Sequence, residues 1–209
     1  MTRILLVRHG RTAWNVHERF RGREDVPLDE TGLSQAERTA AYIASRWNPA
    51  AVYSTPLARG RATAGAIARR CGLEVREHRG LIDIDYGRWQ GLTPEEASRR
   101  HPRRARAWYR DGRRAHPPGG EPLAAVKKRC LRAITDIASR HPEGTVVAVG
   151  HTVVNRAVIL GVLSLGLDLF WRLGQEPCAV NVLETDGRRF VLVSMNETGH
   201  LLESGKIFS

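Results

Sequence analysis

Apolar residues recur along this chain in two spacings. Unbroken runs, Ile4-Leu5-Leu6-Val7 and Val146-Val147-Ala148-Val149, suit strands covered on both faces. Leu33, Ala36, Ala40, Ile43 and Ala44 fall on one face of a helix over 32–46. A second helix is predicted over 56–72, opened by Pro56 and closed by Gly72. Residues 50–54 and 73–78 read as further short strands. Residues 93–114 read as two short helices broken at Pro102, followed by a loop at 117–120. Longer helices follow over 122–140 and 152–164. Residues 179–185 and 189–195 flank Asp186-Gly187, a hairpin signal. Alternating strands and helices predict an α/β fold: a three-layer α/β/α sandwich on a mostly parallel, doubly wound sheet. The 209 residues suit a single domain, 1–209.

The composition is that of a globular protein, with 42% hydrophobic and 26% charged residues. The longest apolar region, 157–173, is interrupted by Asp168 and Arg172, whereas a membrane span needs about 20 mainly apolar residues. No amino-terminal segment reads as a signal peptide, so a cytoplasmic location without membrane attachment is expected. Cys71, Cys130 and Cys178 are far apart and form no CxxC pair, which suits buried thiols better than a disulfide framework or a zinc site. The net charge of +11 raises the question of nucleic acid. Residues 98–116 alone hold eight arginines against one aspartate, so most of the excess is one segment, and a nucleic-acid partner is not expected.

Candidate chemistry lies where the buried runs end. One runs into Arg8-His9-Gly10 and the other into Gly150-His151-Thr152. In a parallel sheet both histidines share the carboxyl edge, where ligands bind. Gly10 and Gly150 would let the backbone approach a ligand closely. Arg8 and Arg11 flank His9, and Arg59 and Arg61 follow the second strand. Arginine forks suit phosphate oxygens, although Arg11 or Arg61 taken alone reads as a solvated charge. Helix starts near Thr12 and Thr152 would add amide donors.

These residues carry a resemblance. "RHGRTAWN" (8–15), "STPLARGRATA" (54–64), "LIDIDYGRWQG" (81–91) and "VVAVGHT" (146–152) resemble, in order, four signature blocks of the histidine phosphatase superfamily, which includes the cofactor-dependent phosphoglycerate mutases. Residues 20–36, 117–122 and 196–201 resemble weaker signatures of the same family. The resemblance implies a phosphoglycerate mutase-like fold and a phosphohistidine route. His9 would be the nucleophile. Arg8, Arg59 and a protonated His151 would bind the phosphate, with Asn15, Thr152 and Gly22 also at the substrate. Such a reaction requires neither metal nor cofactor. The family's glutamate acid–base position is Asp83 here, one methylene shorter, and Asp85 is the alternative. Arg11, Gly60, Gln90 and Pro122 also depart from the usual residues, and none removes a catalytic part.

The segment at about 92–117 corresponds to the insertion that covers the active site in such proteins. Either Arg106 and Arg110 face the pocket and favour a second anionic group, or they form a solvated basic face. The compact chain resembles the phosphatase branch acting on small phosphorylated metabolites. A phosphoglycerate mutase is the alternative, and a nucleic-acid or phosphoprotein binding module comes third. The oligomeric state stays open, a homodimer being one form.

Overall fold

The computed structural model describes residues 1–202. Residues 203–209, the tail of the expected 1–209 unit, lie outside the described residues. Six strands form one sheet: β1 (Thr2–Arg8), β2 (Pro49–Ser54), β3 (Val75–Glu77), β4 (Gly144–Gly150), β5 (Val180–Thr185) and β6 (Phe190–Glu197). Their order is β3-β2-β4-β1-β5-β6. The first four in that order are mutually parallel, and β5 runs antiparallel to both of its neighbours. The sheet is therefore mixed, with the predicted hairpin supplying its reversed strand.

Alternation along β1 explains the layers. Leu5 and Val7, with Val52, Val147 and Val149, meet helices α2 (Glu30–Arg46) and α3 (Ala58–Cys71). Ile4 and Leu6, with Tyr53, Val146 and Ala148, meet α6 (Leu123–Ser139) and α7 (Thr152–Val162) on the other side. Covered on both faces, β1 and β4 must be apolar throughout, which is why they read as runs.

Two expectations shift. Leu33 is 53% exposed, because the buried stripe of α2 runs through Gly32, Ala36, Thr39, Ala40 and Ile43. Helix α3 starts at Ala58, with Leu57 as its cap, so Pro56 precedes it by two residues. Gly72 does close it, at φ 68°. The Arg-rich segment forms α4 (Pro94–Arg100) and α5 (Pro102–Arg110), broken at Pro102 as predicted. A four-residue helix, α1 (Ala13–Val16), follows the first histidine.

Candidate active site

Register places the histidines. β1 and β4 pair in parallel with Arg8 opposite Gly150, so His9 and His151 leave the same sheet edge side by side. The His9 amide donates to the Gly150 carbonyl at 3.1 Å, and the two rings lie 5.1 Å apart. Both side chains are buried.

His9 is held as one tautomer. Its Nδ1 sits 2.7 Å from the Gly10 carbonyl, which can only accept, so Nδ1 carries the hydrogen. Nε2 then keeps its lone pair, and that atom is buried with no hydrogen-bond partner. Burial, then Arg59 and Arg8, hold the imidazole well below its usual pKa, so it is neutral at pH 7.

Arg59 is fully buried and aimed by the chain around it. Its Nη1 donates to the Glu24 carbonyl at 2.7 Å, and its Nη2 to the Gly22 carbonyl at 2.6 Å and to Asp83 Oδ2 at 3.1 Å. The block at 20–36 thus fixes an arginine from a distant helix, and Gly22 acts on Arg59 through its carbonyl. Gly22 has φ 51°, and a Cβ there would meet Gln90 Oε1 at 2.7 Å. Arg8 donates through Nη1 to the Gln175 carbonyl. Gln175 is locked in turn by Asn181, whose Nδ2 also donates to the Leu6 carbonyl at 2.8 Å. Burial, then Arg21, lower Arg8 to about 9, which leaves it charged at pH 7.

Asp83 joins the cluster: Oδ2 faces Arg59 and lies 3.5 Å from His151 Nδ1. Arg129 braces its loop, donating to the carbonyls of Gly80, Ile82 and Asp83 while pairing with Glu121 at 2.8 Å. Glu121 belongs to the 117–122 signature, whose backbone also docks on this loop through Arg88 and Asp85. Asp85 is elsewhere: its Oδ1 accepts from the Gly87 amide at 2.7 Å, and its Oδ2 lies 3.4 Å from Arg23.

A cavity of about 380 Å³ opens over this cluster, with Arg8, Asn15, Arg21, Asp83 and Thr152 in its wall. Asn15 Oδ1 accepts from the Thr12 amide and hydroxyl at 2.9 Å each, which leaves its amide hydrogens free. The Thr152 hydroxyl and the Nε atoms of Arg8, Arg21 and Arg59 are buried without partners. Convergent unpaired donors in one place suit an anion with several acceptor oxygens. Among the described residues, no three His, Cys, Asp or Glu side chains group as a metal would require.

A family profile described as histidine phosphatase superfamily (branch 1) matches residues 4–198. The chain belongs to that family. It is 36% identical over 203 residues to phosphoserine phosphatase 1 of Hydrogenobacter thermophilus, covering 97% of this chain and 96% of that one. It is 32% identical over 210 residues to the metal-independent phosphoserine phosphatase of Arabidopsis thaliana, covering 98% and 85%. A solved phosphoserine phosphatase from Entamoeba histolytica, in complex with 3-phosphoglyceric acid, superposes with a TM-score of 0.86 at 29% identity, covering 97% and 100%. The fold is the phosphoglycerate mutase-like α/β fold, and this histidine phosphatase is a phosphatase of small phosphorylated metabolites. No helix among its described residues is long and apolar enough to cross a membrane.

Several readings of this histidine phosphatase need correction. His151 is neutral, since burial, then Arg59 and His9, lower its pKa well below the usual value. Gly10 and Gly150 serve packing: a Cβ on Gly10 would meet the Gly32 carbonyl oxygen at 2.5 Å, and one on Gly150 would meet Asn155 Oδ1 at 2.8 Å. Arg11 pairs with Asp29 at 2.9 Å, and Arg61 faces Glu77 at 3.4 Å, both away from the cavity. Arg106 and Arg110 line a separate cleft with Arg103, Arg114 and Asp168. From the inserted segment, Tyr109 is the residue that lines the catalytic cavity. Arg19, Arg21, Arg156 and Gln175 also line it and were not singled out in the sequence. Their only advance signals were proximity to the signature blocks for Arg19 and Arg21, and helical spacing from Thr152 for Arg156.

Proposed function

We propose that this protein hydrolyses phosphate monoesters through a phosphohistidine on His9, without metal or cofactor. The observation that carries this reading is the His9 Nε2 lone pair, held unpaired and neutral beside Arg8, Arg59 and Asp83. A neutral nucleophile meets less repulsion from a phosphate dianion, and the arginines spread the charge of its oxygens. The ester's monoanion gives its proton to Asp83 on binding; Nε2 then attacks phosphorus, the P–O ester bond breaks, and the leaving oxygen takes that proton from Asp83. Asp83 then takes a proton from water, whose oxygen attacks phosphorus as the P–N bond breaks. Phosphate leaves and His9 is regenerated. His151, neutral, donates its ring N–H to an equatorial oxygen, beside Asn15 and Thr152.

Four cavity-lining arginines suit substrates with a second anionic group, and the relatives point to phosphoserine and phosphoglycerate-type esters. Three free cysteines suit a reducing compartment such as the cytoplasm.

The test is phosphate release from phosphoserine, 3-phosphoglycerate and p-nitrophenyl phosphate with EDTA present, for wild type and His9→Ala. Release by wild type, loss in His9→Ala, and an acid-labile phosphoryl label on wild type alone are expected. Release that EDTA abolishes, or that survives in His9→Ala, overturns the mechanism. Exchange of phosphoglycerates without net release would make the protein a mutase.

A further inference from the structure

We propose that the arginine-walled cleft of the inserted segment is a second anion site, separate from the catalytic cavity, that binds the oligophosphate chain of an inorganic polyphosphate or a nucleotide. None of the eight arginines of residues 98–116 lines the catalytic cavity. Five of them, Arg103, Arg106, Arg110, Arg113 and Arg114, line this cleft of about 560 Å³.

Arg103, Arg106 and Arg110 are spaced three and four residues apart on α5, which puts them on one face. The opposite face buries Ala105 and Trp108 and so fixes the arginine row outward. Like charges so placed repel one another along a helix. The fold does little to offset this. Among the described residues Arg113 pairs with Asp111 at 3.0 Å, while Arg103, Arg106, Arg110 and Arg114 make no ion pair and no side-chain hydrogen bond. Asp111 and Asp168 are the carboxylates of the cleft, and its five guanidiniums outnumber them by three. The walls are preformed. Gly112 lies against the Leu167 carbonyl, where any Cβ would clash, so the turn carrying Arg113 and Arg114 is seated on the turn Leu167–Arg172. Trp171 Nε1 donates to the Trp108 carbonyl at 2.7 Å and ties that second turn to α5. A preformed group of unpaired cations binds a multivalent anion without the cost of gathering them.

Shape and lining choose the anion. The helical rise from Arg103 to Arg110 is about 10 Å, longer than one phosphate or carboxylate and suited to a row of linked phosphates. Guanidinium forks match phosphate oxygens. Among the described residues no aromatic side chain lines the cleft, so a base would find nothing to stack on. Outside residues 98–116 basic and acidic residues nearly balance, so a long nucleic-acid strand would find little charge beyond the cleft. Helix α5 turns Arg106 and Arg110 to this cleft and Tyr109 to the catalytic cavity, so the two sites can fill at once.

The experiment measures Kd for tripolyphosphate, ATP and AMP by titration calorimetry at constant ionic strength. It uses the His9→Ala protein, so that no ligand is turned over, alone and combined with Arg106→Ala/Arg110→Ala or with Arg99→Ala/Arg100→Ala. The last pair removes the same charge from exposed positions at the end of α4 that line neither cavity. Alanine at these four exposed helical positions keeps both helices intact. Tripolyphosphate is expected to bind about tenfold more weakly in Arg106→Ala/Arg110→Ala, the share of two solvent-screened cations, and within about a factor of two of the parent in Arg99→Ala/Arg100→Ala. AMP is expected to bind about tenfold more weakly than ATP. Tighter binding of ATP than of tripolyphosphate identifies a nucleotide as the source of the chain, and the reverse identifies inorganic polyphosphate. Equal losses in the two double variants mean attraction by net charge and overturn the site. Binding that is unchanged in Arg106→Ala/Arg110→Ala overturns it too, as does AMP held as tightly as ATP, or a short oligothymidylate held more tightly than tripolyphosphate.

Discussion

Asp83 and Asp85 are separated by a single residue, yet their surroundings differ completely. Asp83 is 5% exposed and lies between Arg59 and His151, whereas Asp85 caps a turn at Gly87 and faces Arg23. Asp83→Asn keeps the shape but cannot pass a proton, so kcat should fall by about 100-fold to 10,000-fold. Asp85→Asn keeps its acceptor oxygen and should leave kcat within about a factor of two. Single-turnover phosphate release measures both, and equal losses would return the acid to an open question. Spacing alone left this choice undecided, because it required knowing that a turn at Gly87 draws Asp85 away. Arg8, His9, Arg59 and His151 were legible, since each sits at a strand or helix end beside a signature residue. Gln175 and Arg156 were not, because a residue that aims or flanks another carries no mark of its own.

Elements show why the glycines are there. The loop after β1 passes so close to the start of α2 that Gly10 and Gly32 are in backbone contact, and a Cβ on Gly32 would lie 2.0 Å from the Arg11 carbonyl oxygen. Asp29 caps α2 at the Gly32 amide and pairs with Arg11, tying the same two segments from the other side. Gly10→Ala must push the His9 loop off the helix. Overpacking of this kind costs about 1–3 kcal/mol, which urea denaturation would read as a lower midpoint at unchanged slope. Activity should fall too, because His9 Nδ1 is oriented by the Gly10 carbonyl itself. A variant of wild-type stability would show that this contact yields cheaply. In the sequence Gly10 points to close ligand approach, because a lone sequence does not show which backbone runs past another. The Arg-rich segment taught the converse. Its helical break at Pro102 was legible, but α5 turns Arg106 and Arg110 to a separate cleft and Tyr109 to the cavity. Eight like charges gave no sign of which face would be covered.

At the scale of the whole molecule, the catalytic edge is a store of buried ionisable groups, and stability must follow pH accordingly. His9 and His151 are both held well below the ordinary imidazole pKa in the folded chain, chiefly by burial. In the unfolded chain they bind protons near pH 6.5. As pH falls below that value, the unfolded state takes up protons that the folded state refuses, so folding loses stability. Each such group contributes about 1.4 kcal/mol for every pH unit below 6.5 until its folded pKa is reached. Above pH 7 neither state protonates them and their share of the pH dependence vanishes. Urea midpoints measured between pH 5 and pH 8 should therefore fall on the acid side, and replacing both histidines by asparagine should flatten that limb. On the proposed site, inorganic phosphate should also recover part of the lost stability, since a ligand of the folded state alone stabilises it. A midpoint flat from pH 8 to pH 5 in wild type would mean that the folded site accepts protons as readily as the unfolded chain does. The neutral His9 nucleophile, on which the proposed chemistry depends, would fall with it.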